Sequence, residues 1–254
     1  MRLRVARGSG SEGTSYRVYD VPDKPGLTVL DALLYVHDDL DDTLAFRYSC
    51  RGAVCGSCGM LINRVPRLAC RTQLASLLLP ERLRLVPSVT ISEGGFEIGK
   101  EVIVEPLPNL ERQKDLMVDM TPFFKAYEEI SPFQVREKTT EHLMPQRTVR
   151  ELERFTNCVL CAVCYSSCPI NGSEPDYLGP AALAKLYRFS IDPRDSQGAE
   201  RLRKADAPTG WWGCRFHANC AVVCPKGVPP NYAIARARRM LGERGEAASR
   251  RSGE

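Results

Sequence analysis

The sequence predicts an α+β protein with a first half made mostly of strands and a second half made mostly of helices. Its 254 residues exceed the usual domain size of roughly 100 to 200 residues, so two domains are the natural division. Polar and apolar residues alternate at 1–5, as in a strand, and short apolar runs continue to about residue 105. Beyond the proline-rich segment 105–109, the apolar spacing becomes helical. We therefore predict a first domain at 1–105, a second at 106–242 and a loose charged tail at 243–254.

In the first half, a helix is expected near 29–38, where apolar residues recur with helical spacing. Thr28 can cap its first turn through the hydroxyl group, and Asp31 occupies the capping-box position. Two later apolar runs, 83–86 and 102–104, have the composition of strands. The first half is thus expected to be a sheet with one helix.

Helical periodicity predicts six helices in the second half. They cover about 110–119, 122–130, 147–157, 180–190, 197–205 and 230–241. The segment before them contains Pro106 and Pro108, which neither continue a helix nor serve a central strand. This segment, 105–109, is therefore predicted to be the hinge between the domains.

Composition excludes several classes of protein. Hydrophobic residues make up 43% and charged residues 26% of the chain, and no apolar run approaches the roughly 20 residues of a membrane-spanning helix. The formal charge of +4 is too small and too evenly spread to indicate a nucleic-acid partner. The first residues lack the features of a secretory or transit peptide, so the bacterial or archaeal cytoplasm is the expected location. In such a chain, 11 cysteines indicate metal ligation or redox chemistry rather than disulfides.

Four cysteines in the first half have the spacing of a plant-type two-iron ferredoxin, C-x4-C-x2-C with a later fourth cysteine. They are Cys50, Cys55, Cys58 and Cys70. Glycines at 52, 56 and 59 leave backbone amides free to approach the sulfurs, and such hydrogen bonds tune the potential of a cluster. A structural zinc site is the alternative metal centre, although zinc favours two C-x2-C pairs. Buried free thiols are the alternative without a metal.

A second group follows the bacterial ferredoxin spacing C-x2-C-x2-C-x3-C-P, in which the fourth cysteine binds a different cluster from the first three. This run is Cys158, Cys161, Cys164 and Cys168, before Pro169. The matching run is Cys214, Cys220 and Cys224, with His217 in the place of the second cysteine. Crossing the fourth cysteines predicts a 4Fe-4S cluster on Cys158, Cys161, Cys164 and Cys224. The remaining thiolates, Cys168, Cys214 and Cys220, suit a 3Fe-4S cluster.

His217 has two interpretations. Imidazole replaces cysteine on iron in Rieske centres, so His217 can be a fourth ligand. Alternatively, it fills the space beside a three-iron cluster, because its ring must reach a position shaped for a shorter thiolate.

The two cysteine patterns in this order, with one cysteine missing from the last run, resemble the iron-sulfur subunit of succinate dehydrogenase and fumarate reductase. The resemblance covers nearly the whole chain. Further matching stretches are 44–52, 104–109, 179–182, 187–189, 192–195 and 224–227. It implies an N-terminal β-grasp domain with a 2Fe-2S cluster, followed by an all-α bacterial-ferredoxin-like domain with two cubane-type clusters.

In that family the subunit lies between a flavoprotein with covalent FAD, which binds the dicarboxylate, and a membrane anchor that binds quinone. The resemblance implies the same partners here, with FAD, quinone and any haem held by those partners. It implies electron transfer between succinate or fumarate and quinone in either direction, and no catalytic residue in this chain. It also implies a peripheral position on the cytoplasmic face of the inner membrane.

Residues beside the third cysteine set are expected, from the resemblance, to lie near the quinone. These candidates are Pro169, Ile170, Trp212, Arg215 and His217. A basic face toward the anchor and its anionic headgroups is also expected. It would consist of Arg215, Lys226, Arg236, Arg238 and Arg239.

Two other functions fit the cysteines. One is an electron-transfer subunit of a soluble fumarate reductase or a heterodisulfide-reductase-like complex, which usually adds further cysteine-rich segments, and none follows Cys224. The other is a free ferredoxin-like carrier, which seldom needs a second domain of this size. Co-purification with a flavoprotein and a membrane anchor, with a flavoprotein alone, or with neither separates the three.

Overall fold

The first half of the chain folds around a mixed five-stranded sheet. The structure, a computed structural model, describes residues 1–10, 13–79, 99–136, 141 and 143–251, with side chains as far as Gly242. The sheet has the strand order β2-β1-β5-β3-β4. Its strands are β1 (Arg2–Arg7), β2 (Ser15–Asp20), β3 (Gly59–Ile62), β4 (Val65–Leu68) and β5 (Glu101–Glu105). The predicted strands at 1–5 and 102–104 are confirmed, and the one predicted at 83–86 lies outside the described residues.

The sheet is mixed because β1 pairs with β5 in parallel and with β2 in antiparallel. The parallel register aligns Leu3 with Val102 and Val5 with Val104. All four side chains are fully buried. The central strands therefore form the apolar surface against which the helix of this half packs.

Helix α1 (Val29–Tyr35) covers one face of the sheet. The hydroxyl of Thr28 accepts from the amide of Asp31, and the Asp31 carboxylate accepts from the amide of Thr28. This reciprocal capping box confirms the predicted helix start. A π-helical turn, Val36–Leu40, follows directly, so the α-helical part is shorter than the predicted 29–38.

The second half is helical. Its helices are α2 (Thr121–Glu129), α3 (Gln146–Thr156), α4 (Val163–Ser166), α5 (Pro169–Ser173), α6 (Gly179–Ser190), α7 (Gly198–Lys204), α8 (Asn219–Val222) and α9 (Pro230–Arg251). Four predicted helices, at 122–130, 147–157, 180–190 and 197–205, are confirmed to within about one residue at each end. The short helices α4, α5 and α8 had no sequence prediction, because four or five residues are too few to show a helical period.

The helix predicted at 110–119 is wrong. This segment forms a two-stranded hairpin of β6 (Arg112–Lys114) and β7 (Met117–Val118). The buried carboxylate of Asp115 lies in its turn and accepts from the amide of Gly8, the Nε of Arg7 and the amide of Ala45 at 2.9–3.0 Å. These partners are far away in the sequence, so tertiary contacts override the local apolar pattern.

The predicted hinge at 105–109 is packed against both halves. Glu105 ends β5 opposite Leu61, and Leu107 is buried. The side-chain amide of Asn109 donates to the carbonyl oxygens of Ser166 and Cys168 at 3.1 and 3.0 Å. The linker therefore joins the two halves as a fixed contact rather than as a free pivot.

Helix α9 continues to Arg251, whereas the sequence predicted its end at 241. The residues beyond Gly242 are rich in Glu, Ala and Arg, which favour helix and extend it past the glycine. The predicted tail therefore begins with helical backbone. Among the described residues, no helix combines the length and the apolar character that crossing a bilayer requires.

Candidate metal centres

The first cysteine loop wraps its backbone around the thiol of Cys50. The amides of Gly52, Val54 and Cys55 donate to Cys50 Sγ at 3.4, 3.3 and 3.3 Å. Arg51 and Ala53 have left-handed backbones, with φ of 55° and 56°. Such alternation turns successive amides toward one side, which forms a concave anion site. The predicted approach of a glycine amide to a cysteine sulfur is confirmed at Gly52.

The cysteines of this first set differ in exposure. Cys50 and Cys55 are exposed, Cys70 is half-buried and Cys58 is buried. Hydrogen bonding from Ser57 lowers the pKa of the Cys55 thiol to about 6. Burial raises the pKa of Cys58 to about 12. A group bound by these four thiols therefore has one side toward solvent and one side toward the protein core.

The first loop packs directly on the helical half at two glycines. A Cβ added to Gly56 would lie 2.7 Å from the carbonyl oxygen of Val159 and 2.9 Å from Cys161 Cβ. One added to Gly59 would lie 3.0 Å from the carbonyl oxygen of Cys161. These glycines are therefore needed for close approach of the two halves, and the first cysteine set is a direct neighbour of the second.

The second cysteine set lines one cavity in the helical half. Its members are Cys158, Cys161, Cys164 and Cys224. Burial raises the pKa of Cys161 to about 12, and the nearby thiols of Cys158 and Cys224 also raise it. Burial likewise raises the pKa of Cys164, with contributions from all three other members. The structure thus brings Cys224 to the first three cysteines of the earlier run.

The third cysteine set lines a separate cavity. Cys168, Cys214 and Cys220 contribute to its wall, together with Pro169, Ile170, Tyr177, Arg215 and His217. Burial, with smaller contributions from Cys168 and Cys214, raises the pKa of Cys220 to about 12. Cys220 in turn raises the pKa of Cys164 in the second set. The second set is therefore a neighbour of both the first set and the third.

Two loops of the helical half have matching backbones, and we call 158–166 and 214–222 the paired loops. Leu160 and Ala162 have left-handed φ values of 53° and 58°, and their counterparts Phe216 and Ala218 have φ values of 57° and 64°. Each loop ends in a four-residue helix, α4 or α8, whose N-cap is the second of these residues. His217 occupies the position that Cys161 occupies in the other loop.

His217 lies at the outer rim of the third cavity. Its side chain is exposed, whereas Cys161 is half-buried. Both interpretations of His217 are geometrically open, because the residue lines the cavity and also reaches solvent.

Four of the five predicted quinone-proximal residues line this third cavity. Trp212 does not, and it packs outside it. Its indole Nε1 donates to Asp206 Oδ1 at 2.6 Å, and its ring lies 5.0 Å from the Arg238 guanidinium. Trp212 is 46% exposed, so a partner surface can still contact it.

Arg238 binds backbone at the third cysteine set instead of contributing to an open basic face. Its guanidinium donates to the carbonyl oxygens of Trp211 and Cys214, with NH2 distances of 2.6 and 2.8 Å. It also lies 4.8 Å from the ring centroid of Phe216. The half-buried side chain therefore holds the start of the second paired loop against α9. The basic face stays a prediction for Arg215, Lys226, Arg236 and Arg239.

Sequence patterns missed three residues that support the third set. Tyr177 is buried and lines the third cavity together with Cys214. Burial raises the pKa of Tyr177, as do the nearby thiols, Cys214 first. The Asn219 side-chain amide donates to the Ser167 carbonyl oxygen at 2.7 Å, and Asn109 binds the same turn. The left-handed loops around the cysteines give no signal for these contacts, which come from distant segments.

The chemistry of these sites fits iron-sulfur clusters. The donors are thiols, several backbone amides point at sulfur, and glycine at 56 allows a close backbone approach beside the first and second sets. Among the residues with described side chains, no group of three or more His, Cys, Asp and Glu closes on a single metal ion. The second and third cysteine sets instead line cavities.

Two family models match the chain in succession. A 2Fe-2S iron-sulfur cluster binding domain matches residues 2–125, and a 4Fe-4S dicluster domain matches residues 154–228. The first match extends past the predicted boundary at 105 and includes the β6–β7 hairpin, which the Asp115 contacts tie to the sheet. The chain is thus an iron-sulfur electron-transfer protein with two ferredoxin-type domains.

Similar proteins identify the family within this class of iron-sulfur proteins. The fumarate reductase iron-sulfur subunit of Mycobacterium tuberculosis is 39% identical over 227 residues, which cover 87% of this chain and 84% of that protein. The fumarate reductase iron-sulfur subunit of Escherichia coli O6:H1 is 36% identical over 220 residues, covering 85% and 82%. A chain of the Mycobacterium smegmatis Sdh1 complex in the apo form shares the fold, with a TM-score of 0.80 over 96% of this chain and 95% of that one, at 24% identity. This chain belongs to the family of iron-sulfur subunits of fumarate reductase and succinate dehydrogenase, which confirms the resemblance.

Proposed function

We propose that this subunit holds three clusters and passes electrons between the FAD of a dicarboxylate-binding flavoprotein and quinone at a membrane anchor. The β-grasp domain, 1–105, would hold a 2Fe-2S cluster on Cys50, Cys55, Cys58 and Cys70. The helical domain, 106–242, would hold a 4Fe-4S cluster on Cys158, Cys161, Cys164 and Cys224. It would also hold a 3Fe-4S cluster on Cys168, Cys214 and Cys220. Each bound cluster supplies one-electron transfer.

The chain's own residues support this assignment by where they hold the thiols. The exposed Cys50 and Cys55 leave the first set accessible to a partner, and Gly56 brings that set against the second. The third set is edged by Ile170, Arg215 and His217, which are three of the five residues proposed to lie near quinone. Succinate oxidation and fumarate reduction use the same arrangement in opposite directions.

The partners and location complete the proposal. A flavoprotein would contact the subunit on one side and a membrane anchor on the other, with FAD, quinone and any haem held by those partners. The subunit would then lie peripherally on the cytoplasmic face of the inner membrane. Purification of the tagged chain from its native membrane should recover both partners. Recovery with a flavoprotein alone would favour a soluble complex instead.

The single observation that carries the proposal is the exchange of fourth cysteines, in which Cys224 joins the second cavity and Cys168 joins the third. Two serine variants of the purified complex test it. Cys168→Ser should remove the three-iron signal and keep the four-iron signal in electron paramagnetic resonance spectra. Cys224→Ser should do the opposite, so each variant is the control for the other. Loss of the four-iron signal in Cys168→Ser would refute the assignment.

Iron content provides the second check. The complex should contain about nine iron atoms per copy of this chain, outside any haem, and three separable paramagnetic signals. About four or six atoms would contradict the three-cluster assignment.

A further inference from the structure

The turn 164–168 joins the second cysteine set to the third. Cys164 lines the second cavity and Cys168 lines the third, with three residues between them. Two of these residues, Ser166 and Ser167, are almost fully buried. The carbonyl groups at the end of a helix as short as α4 lack partners within the helix, so they need donors from other segments.

Asn109 supplies such a donor from the linker 105–109. Its side-chain Nδ2 donates to the carbonyl oxygens of Tyr165, Ser166 and Cys168, at 3.4, 3.1 and 3.0 Å. The backbone of Asn109 is left-handed, with φ of 62°, a conformation that asparagine adopts more readily than most residues. The linker therefore places one side-chain amide on three carbonyls of the turn that carries a cysteine of each set.

The orientation of this amide has an electrostatic consequence. The hydrogens on Nδ2 are the positive end of the side-chain dipole, and they are the part of Asn109 that contacts the turn. One-electron reduction adds one negative charge to a centre and breaks no bond. A positive dipole end fixed beside the ligand backbone stabilises the reduced form more than the oxidised form, and burial strengthens the effect.

We infer that Asn109 is a positioning residue that raises the midpoint potentials of the second and third centres together, through its hydrogen bonds to the turn 164–168. The second and third centres are the clusters of the second and third cysteine sets. The inference rests on the proposed function, in which Cys164 is a ligand of one cluster and Cys168 of the other.

The shared turn determines how the two potentials change. Because one amide acts on the backbone of a ligand of each centre, both potentials shift in the same direction. The difference between them therefore changes less than either potential does. Asn109 would thus make the pair of centres a better electron acceptor for its partners, while electron transfer within the pair keeps its driving force.

Asn109→Gly in the purified complex tests the inference, because glycine removes the amide and tolerates the left-handed backbone. Asn63→Gly is the matched control. Asn63 is also left-handed, with φ of 45°, and its Nδ2 donates to the Leu77 carbonyl oxygen at 3.1 Å, but it lies between β3 and β4. A redox titration followed by electron paramagnetic resonance should show lower potentials for both centres in Asn109→Gly. Both should keep their wild-type values in Asn63→Gly.

Asn109→Asp is a second variant, in case glycine loosens the linker. Aspartate tolerates the same backbone, and at mildly alkaline pH its ionised carboxylate directs negative charge at the same carbonyls. It should lower both potentials further than Asn109→Gly does. Unchanged potentials in Asn109→Gly, or in Asn109→Asp where only that variant assembles, overturn the inference, as does an equal shift in Asn63→Gly. A wild-type complex without the three-iron or the four-iron signal would instead refute the proposed function.

Discussion

The paired loops, 158–166 and 214–222, share a backbone frame, but only three of their nine aligned positions carry the same residue. Their left-handed residues fall at matching places, and α4 and α8 begin at matching places. Cys161 of the first loop corresponds to His217 of the second, and Val163 corresponds to Asn219. The backbone frame is therefore independent of how many thiols the loop supplies. Differences between the two cavities therefore arise from side chains placed on one common frame.

The largest expected effect is removal of iron, which should unfold both paired loops together. Helices α4 and α8 each have four residues, far below the roughly 12 residues that an isolated helix needs. Because ligand binding supplies folding free energy to such segments, chelation should abolish amide protection in both loops. Hydrogen exchange measured by mass spectrometry should show this loss while β1 and β5 remain protected. Protection that survives chelation in only one loop would show that the two loops do not depend on iron in the same way.

His217→Cys should make the second loop equivalent to the first. It supplies the missing thiol, so iron content should rise from about nine to about ten atoms per chain, and the oxidised three-iron signal should disappear. His217→Ala is the control and should keep the wild-type signal. If instead the wild type lacks that signal and His217→Ala creates it, His217 is already a ligand.

Asn219→Val tests the difference between Asn219 and its counterpart Val163 in the first loop. Asn219 is 3% exposed and donates to the Ser167 carbonyl oxygen, so valine leaves a buried acceptor without this donor. The free energy of unfolding should fall by about 1–3 kcal/mol, as measured by denaturant titration of the iron-loaded protein. Asn219→Asp keeps the shape but turns a carboxylate toward the same carbonyl, so it should be at least as damaging. A neutral Asn219→Val would show that the contact contributes nothing.

The smallest expected effect concerns the shared left-handed positions. Ala162→Gly and Ala218→Gly relieve a strained backbone but add flexibility to the unfolded chain, so each should change the free energy of unfolding by less than about 1 kcal/mol. The two changes should agree within about 0.5 kcal/mol. Ala182→Gly, inside helix α6, is the control and should destabilise by at least about 1 kcal/mol, because it also removes a buried methyl group. Clearly unequal effects at 162 and 218 would show that the frames differ in strain.

Local chemistry explains which parts of the fold could be predicted from the sequence. The start of α1 was predictable because Thr28 and Asp31 satisfy each other's backbone within one turn. The hairpin at 112–118 was not, because Asp115 is held by Arg7 and Ala45. A sequence window that shows only the nearby leucines favours a helix there. Long-range polar contacts are invisible to periodicity.

Local features of the candidate sites were likewise predictable from the sequence, and long-range contacts were not. Cysteine spacing predicted three ligand sets, since ligand geometry limits the number of residues between thiols, and the second and third of these sets line cavities of the helical half. The hydrogen bonds of Asn109 and Arg238, and the ring of Tyr177 in the third cavity, come from segments that only the tertiary fold brings to the cysteines. Arg238 also shows why a cationic residue on a helix is ambiguous, since its charge is directed at backbone carbonyls rather than outward.

Gly56 sets how closely the first half of the chain, with its five-stranded sheet, approaches the helical half. That separation governs the rate of electron transfer between the first and second cysteine sets. Electron tunnelling between two centres slows steeply as the gap between them widens, so a hydrogen atom in place of a methyl group keeps the gap small. With 2.7 Å between the position of an added Cβ and the Val159 oxygen, any side chain at 56 acts as a spacer. It would lower the rate of electron transfer between the first and second cysteine sets.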